Sequence, residues 1–430
     1  MTPTAAGLVR EERAEDGTGR QDVIYLDNNA TTALAPEVLE AMQPYLTTEF
    51  FNPSSAYERA QPAARAIREA RQEIAGFLGA ADPSEILFTS CATESINAAV
   101  IGAARANTGR RRIITTSVEH PAVYELCRDL ARDGYDVVFL PVDRAGRLDV
   151  RDLIRALDST TLMVAIMHAN NETGVVFPIA ELSRVVKETD PKILFLTDAT
   201  QTAGKLPLDL RGELRHVDLL AFSGHKLHAP KGIGVLYIRR GTAVRAYLVG
   251  GHQEGGRRGG TENVAFIAGL GAACALARQA HATDGTRIRD LRDQLQSGLM
   301  SRIPCLEVNG GEATRLDNTL NISAHFIEGE GILYRLSEYD ICASSGSACT
   351  SGSLEPSHVL RAMRVPFTAV HGSIRFSFSR YNQEEDVTRV LEVFPEIVAS
   401  LRRISPYWDA SGNRPRPEAE AMMTAPPGPR

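Results

Sequence analysis

Along the chain, short unbroken apolar runs recur between longer stretches in which apolar positions return every three or four residues. The runs Ile86–Thr89, Ile113–Thr116, Val137–Leu140, Leu162–Met167, Ile193–Thr197, Leu219–Phe222 and Ile233–Ile238 lack the alternation of a half-solvated strand, and so predict strands buried on both faces. Between them, Arg65–Leu78 puts Ile67, Ala70, Ile74, Phe77 and Leu78 on one helical stripe, and Pro178–Lys187 opens with proline at a helix-start position. Strand alternating with helix implies a mostly parallel sheet covered on both faces, the α/β class. From about Ala282 the order changes to a long helical stretch, the run Thr319–Ser323, the segment Cys342–Cys349, the run Ser373–Ser377 and a closing helix Glu384–Ile404, which predicts a smaller α+β domain. Residues 1–20 and 409–430 are too polar or too rich in proline to bury much surface, and are expected to be loose tails.

Composition narrows the function. No apolar run approaches the ~20 residues of a membrane span, and Glu11, Glu12, Glu15 and Asp16 do not suit a secretory or mitochondrial leader, so a cytoplasmic location is expected. The six cysteines, at 91, 127, 274, 305, 342 and 349, show no zinc-ligand spacing, and reduced thiols with no stable metal are expected. A formal net charge of −6 with no basic face argues against nucleic-acid binding and leaves small molecules and proteins as partners.

In an open α/β sheet, ligands bind beyond the carboxyl ends of the strands. The residues following the predicted strands are Cys91 to Glu94, then Glu119 and His120, then His168, Asn170 and Asn171, then Asp198 and Gln201, then Ser223, His225 and Lys226. A carboxylate at one exit and a lysine at another suit pyridoxal phosphate, which needs a Schiff-base lysine and an acid near its ring nitrogen. Lys226 and Asp198 fit those roles. A lysine is ordinarily a solvated surface residue, and Lys205 and Lys231 are read that way. An aspartate after a strand is ordinarily a helix cap, the competing reading for Asp198.

Thr93 opens a helical run to Ala106 whose free N–H groups favour an anion, although simple capping accounts for it equally well. His120, just before Pro121, is placed either flat on a cofactor ring or as an ordinary cap. Asn170 and Gln201 offer hydrogen bonds suited to a phenolic oxygen, with turn chemistry as the alternative. The small, polar stretch Ser344–Ser353 carries Cys349 in its middle, a composition that suits a nucleophilic thiol on a mobile loop, whereas Cys127, Cys274, Cys305 and Cys342 are read as packed. In Ser373–Ser377, Ile374 and Phe376 face one way and Arg375 the other, where its guanidinium is suited to an amino-acid carboxylate or to a surface ion pair.

Together these stretches resemble the cysteine desulfurases of iron–sulfur cluster assembly, a class-V pyridoxal-phosphate aminotransferase family, from about Tyr25 to about Val398. The resemblance is carried by Leu26-Asp27-Asn28-Asn29-Ala30-Thr31-Thr32, Asn52-Pro53-Ser54-Ser55, Ala92-Thr93-Glu94-Ser95, Glu119-His120-Pro121, Asn170-Asn171-Glu172-Thr173-Gly174, Asp198-Ala199-Thr200-Gln201, Ser223-Gly224-His225-Lys226, Gly259-Gly260-Thr261-Glu262-Asn263 and the Cys349 loop. It implies an aspartate-aminotransferase-like fold, with a cofactor domain over 33–281 and a small domain from 21–32 and 282–408. It implies that Lys226, Cys349 and His120 are catalytic. Ala92, Thr93, His120, Asn170, Asp198, Gln201, Ser223, His225, Lys226 and, from a second subunit of a homodimer, Thr261 would bind pyridoxal phosphate. Asn170 and Arg375 would bind L-cysteine. The implied product is L-alanine, with a persulfide on Cys349 passed to an iron–sulfur scaffold or another acceptor protein, Cys349 making at most a transient iron–sulfur contact.

Two positions depart from the family pattern: Tyr57 stands where histidine is common, and Gly255 where arginine is usual. Two other readings keep part of this picture. An aminotransferase or decarboxylase would use Lys226 and Asp198 but not Cys349, and a non-catalytic assembly protein would use neither.

Overall fold

The computed structural model describes residues 23–345 and 356–423. After a short strand β1 (Ile24–Tyr25), seven strands form the main sheet: β2 (Ile86–Thr89), β3 (Arg112–Thr116), β4 (Asp136–Leu140), β5 (Thr161–Ala165), β6 (Leu194–Asp198), β7 (Leu219–Ser223) and β8 (Gly234–Ile238). Their order is β2-β8-β7-β6-β5-β3-β4, and only β8 runs antiparallel to its neighbours. Strands β2, β3, β5, β6 and β7 therefore all end at the same edge.

Burial on both faces explains the unbroken apolar runs. Phe88, Ile114, Val164, Phe195, Leu220, Phe222, Val235 and Tyr237 pack into one core, while Leu87, Ile113, Met163, Leu196, Leu219, Ala221 and Leu236 pack into a second on the opposite face. The helix Gln61–Leu78 stops where its pattern predicts, at Gly79, whose φ of 64° is the left-handed conformation that closes a helix.

A third core is built differently. Strands β9 (Leu306–Val308), β10 (Thr319–Ala324), β12 (Ser344–Ser345) and β13 (Ser373–Ser377) form a sheet in the order β12-β13-β10-β9, with β11 (Ile341–Cys342) pairing with β1 instead. Leu320, Ile322, Ile374 and Phe376 pack there against Val390, Phe394 and Ile397 of the helix Glu384–Ile404. The helix Val264–Arg302 contributes to both regions, with Leu270 and Ala273 in the first core and Leu291, Leu295 and Leu299 in the third.

Several expectations are corrected. From 409 the chain was expected to be loose, yet β14 (Trp408–Asp409) pairs with β15 (Arg414–Pro415) and a helix follows at Pro417–Glu420. Trp408 is buried under the Arg402 guanidinium, 4.0 Å from its ring centroid, and the apolar ring anchors an otherwise polar segment. Cys342 was read as packed but is exposed, because Ile341 takes the inward position of that strand. Cys305 is only half-buried, while Cys127 and Cys274 are buried. The expected tail 1–20 lies outside the described residues.

Candidate active site

Lys226 closes a single helical turn directly after β7. Its Nζ donates to the carbonyl oxygens of Asn29 and Ala30, both at 2.6 Å. Burial lowers the amine's pKa to about 8, and the charge of Arg375 adds to this while Asp27 and Asp198 oppose it. A lysine so placed reaches its free-base form at a far lower pH than one in solvent.

Asp198 is the last residue of β6 and is buried, with Oδ1 accepting from the Thr200 N–H at 2.9 Å. The cap-like contact engages Oδ1. His120 likewise caps the helix Pro121–Arg132, its Nδ1 accepting from the Ala122 N–H at 3.1 Å, which puts the ring proton on Nε2. The ring is solvent-accessible but set low in a crevice: desolvation lowers its pKa first, Asp198 raises it and Lys226 lowers it. The fields of Asp198 and Lys226 at His120 show that three strand exits meet at one place.

Around them, His225 Nδ1 lies 3.1 Å from Thr31 Oγ1, and burial, followed by the charge of Lys226, holds the imidazole neutral with a pKa of about 4. Gln201 is buried and its Nε2 donates to Asn29 O at 3.1 Å. Asn170 is buried too, but its amide is occupied locally: Nδ2 donates to Val118 O, and Oδ1 accepts from the N–H groups of Glu172 and Thr173. Arg375 is buried rather than at the surface, with Nη2 on Asp27 Oδ1 at 2.6 Å and Nη1 on Asn171 O at 2.9 Å. Its Nε has no partner among the described residues.

The beginning of the helix Ala92–Ala106 fits an anion. Its N-cap, Cys91, makes no side-chain cap, and Ala92 is buried and Thr93 exposed in the first turn. Beside it, Ser223 Oγ and Thr200 Oγ1 are buried with no hydrogen-bond partner among the described residues, a costly state that a ligand oxygen would relieve. Gly234 pairs with both Thr89 and Ser223 at this edge, and a Cβ there would stand 2.7 Å from the Cys91 carbonyl carbon, so the floor stays open only to glycine. Uncapped amides, orphaned hydroxyls, an enclosed lysine and a buried aspartate match the donor set that pyridoxal phosphate requires.

Thr261 is exposed, in a segment tied to the same helix by the Arg258–Glu94 ion pair at 2.8 Å. Tyr57 is 52% exposed and packs edge-on against Phe51. Gly255 adopts φ 67°, a conformation easy for glycine and costly for arginine. Cys349 lies outside the described residues; the strand before it, β12, pairs Ser344 with Arg375.

Some participants were not singled out in the sequence. Asp27 as the partner of Arg375, and Asn29 and Ala30 as acceptors for Lys226, are too distant in the chain for spacing to reveal. Lys205 is a correction: read as a surface residue, it is half-buried, and its Nζ donates to Gln201 O at 3.0 Å. Its position four residues after Gln201 was the available signal. Glu119 is fully buried, its carboxylate held by the Met167 N–H and Thr116 Oγ1, and desolvation lifts its pKa to about 8.

Comparison with known proteins agrees with this geometry. Residues 24–390 match the model of the aminotransferase class-V family. The chain is similar to the cysteine desulfurase NifS of Azotobacter vinelandii, with 52% identity covering 90% of this chain and 96% of that protein. A cysteine desulfurase of Trichormus azollae shares 54% identity over 90% and 95% of the two chains. Among solved structures, a NifS-like protein superposes with a TM-score of 0.83 at 38% identity, covering 88% of this chain and all (100%) of that one.

Proposed function

The chain belongs to the class-V aminotransferase family and is a cysteine desulfurase, and from that premise we propose how its residues divide the work. Pyridoxal phosphate, when bound, supplies an electron-poor ring that weakens bonds at the substrate's α-carbon. Ala92, Thr93, Ser223 and His225 would hold its phosphate, joined by Thr261 of a second copy in a homodimer. Asp198 would hold a proton on the ring nitrogen, and Gln201 would donate to the phenolic oxygen, with Asn170 fixing the adjoining loop. Lys226 would tether the cofactor and, as a free amine, move the α-proton of the substrate. His120 would pack on the ring and carry protons through Nε2.

Arg375 would bind the carboxylate of L-cysteine, and Asn170, whose amide is engaged within its own loop, would contribute to that substrate site by shaping it. Cys349 would take the substrate's sulfur, so that L-cysteine and a thiol become L-alanine and a persulfide. An iron–sulfur scaffold or another acceptor protein would then receive that sulfur in the cytoplasm. The same proposal includes a cofactor domain over 33–281 and a smaller one from 21–32 and 282–408, supported by separate hydrophobic cores.

The observation that carries the assignment of roles is the half-buried Lys226 amine, its pKa lowered to about 8 within the field of Asp198, three residues after Ser223, whose hydroxyl has no partner among the described residues. The test is Cys349→Ser on L-cysteine: we expect retained colour and cofactor but loss of alanine and persulfide. Turnover at the parent rate would remove Cys349 from the reaction.

A further inference from the structure

Lys205 belongs to none of the roles above, yet it faces the site from behind. It lines a cavity of about 90 Å³ together with Lys226, Thr32 and His228. Two acids at that cavity are already engaged by arginines, Asp284 by Arg380 and Asp317 by Arg289. No ion pair is found for Lys205 among the described residues. Its amine donates instead to Gln201, at 3.0 Å from the backbone oxygen and 3.4 Å from Oε1.

That contact has a chemical consequence. An ammonium group has donors only, and the two ends of a glutamine amide are opposite in kind. With Oε1 turned to Lys205, the NH₂ end must face the other way, and there Nε2 donates to Asn29 O at 3.1 Å, the same carbonyl that accepts from Lys226 Nζ at 2.6 Å. A phenolic oxygen bearing negative charge requires the NH₂ end; an inverted amide would oppose it with a carbonyl.

We propose that Lys205 is a positioning residue that fixes the Gln201 amide, so that the crevice presents a donor to the cofactor's phenolic oxygen. The inference rests on the pyridoxal-phosphate reading above. Burial, then the charges of Lys226 and Arg375, lowers the Lys205 pKa to about 7, so the donor-only ammonium prevails below that pH and its hold on the amide slackens above it.

The test is a double-mutant cycle in the full chain, read as the affinity of the apoenzyme for pyridoxal phosphate and the visible absorption maximum of the bound cofactor. Lys205→Met is expected to weaken binding about tenfold, the scale of one lost hydrogen bond, and to shift the absorption maximum. In a Gln201→Leu background the same substitution should add less than about twofold, because the amide it orients is gone. Lys205→Arg, which also only donates and has the cavity to occupy, should recover most of the loss. Should Lys205→Met fail to fold, Lys205→Gln runs the same cycle with a smaller expected loss, about threefold. Parent-like affinity and absorption in the Lys205 variant would overturn the inference, as would losses that multiply across the cycle. A parent chain that binds no pyridoxal phosphate would instead sink the functional reading and this inference with it.

Discussion

The crevice at the edge of the main sheet and the seam joining residues 27–29 to residues 318–319 and 375–377 use hydrogen bonds in opposite ways. In the seam most of them are closed, Arg375 Nε excepted. Asn28 Nδ2 donates to Ser377 O at 2.8 Å, the Asn29 N–H to Ser377 Oγ at 2.9 Å, Asn29 Nδ2 to Thr319 Oγ1 at 2.9 Å, and Asn318 Nδ2 to Asn29 Oδ1 at 3.0 Å. In the crevice, Ser223 and Thr200 have buried hydroxyls with no partner among the described residues. An unmet buried donor is a cost to the folded chain alone. The contrast teaches that the crevice keeps hydroxyls a ligand could engage, while the seam beside it is held mainly by satisfied side-chain contacts.

Lys226→Ala should give the largest effect and tests the crevice directly. Desulfurase activity should fall by about 10³-fold or more, the scale of removing one proton-transferring group, and the visible absorption of the purified protein should change. Arg375→Leu tests the seam. It strips the partner from the half-buried Asp27, which costs about 2 kcal/mol, below the range for a fully buried pair, so thermal unfolding of the apoenzyme should drop by a few degrees. An unchanged melting temperature would mean that the seam is not the frame described here.

A smaller effect is expected with pH. Only the free amine attacks an aldehyde, so pyridoxal phosphate uptake by the apoenzyme should quicken as pH rises and level off above about 8, where Lys226 is deprotonated. Uptake still accelerating at pH 10 would place the amine in solvent. The smallest effect sharpens the comparison most. Ser223→Ala should leave the apoenzyme as stable as the parent or more stable by about 1 kcal/mol, because it removes a buried hydroxyl with no partner among the described residues, while cofactor retention weakens severalfold in a dialysis assay.

These two regions also differ in how far they could be read from residue order. The crevice was legible because each of its groups follows its strand within a few positions: Asp198 ends β6 and Lys226 comes three residues after β7. Unbroken apolar runs identified those strands, since a sheet covered on both faces needs no polar side. The seam was not legible in that way. Asp27 and Arg375 are 348 positions apart, and either alone reads as a surface charge. Lys205 was misread for a related reason: a lysine's usual solvation is a sound prior, and only the folded chain shows a glutamine amide and a cavity at its tip. The segment past Trp408 was judged by its polar composition, which gave no weight to one aromatic ring able to anchor it.

The strap that receives the Lys226 amine carries one more consequence. Its carbonyl groups, Asn29 and Ala30, belong to a segment that is pinned by Cys342 and Ser377. During synthesis this segment leaves the ribosome more than three hundred residues before its anchors. The main sheet can therefore assemble on the nascent chain while the acceptors of the lysine are still unanchored, and the site reaches its final geometry only after Ser377 has emerged.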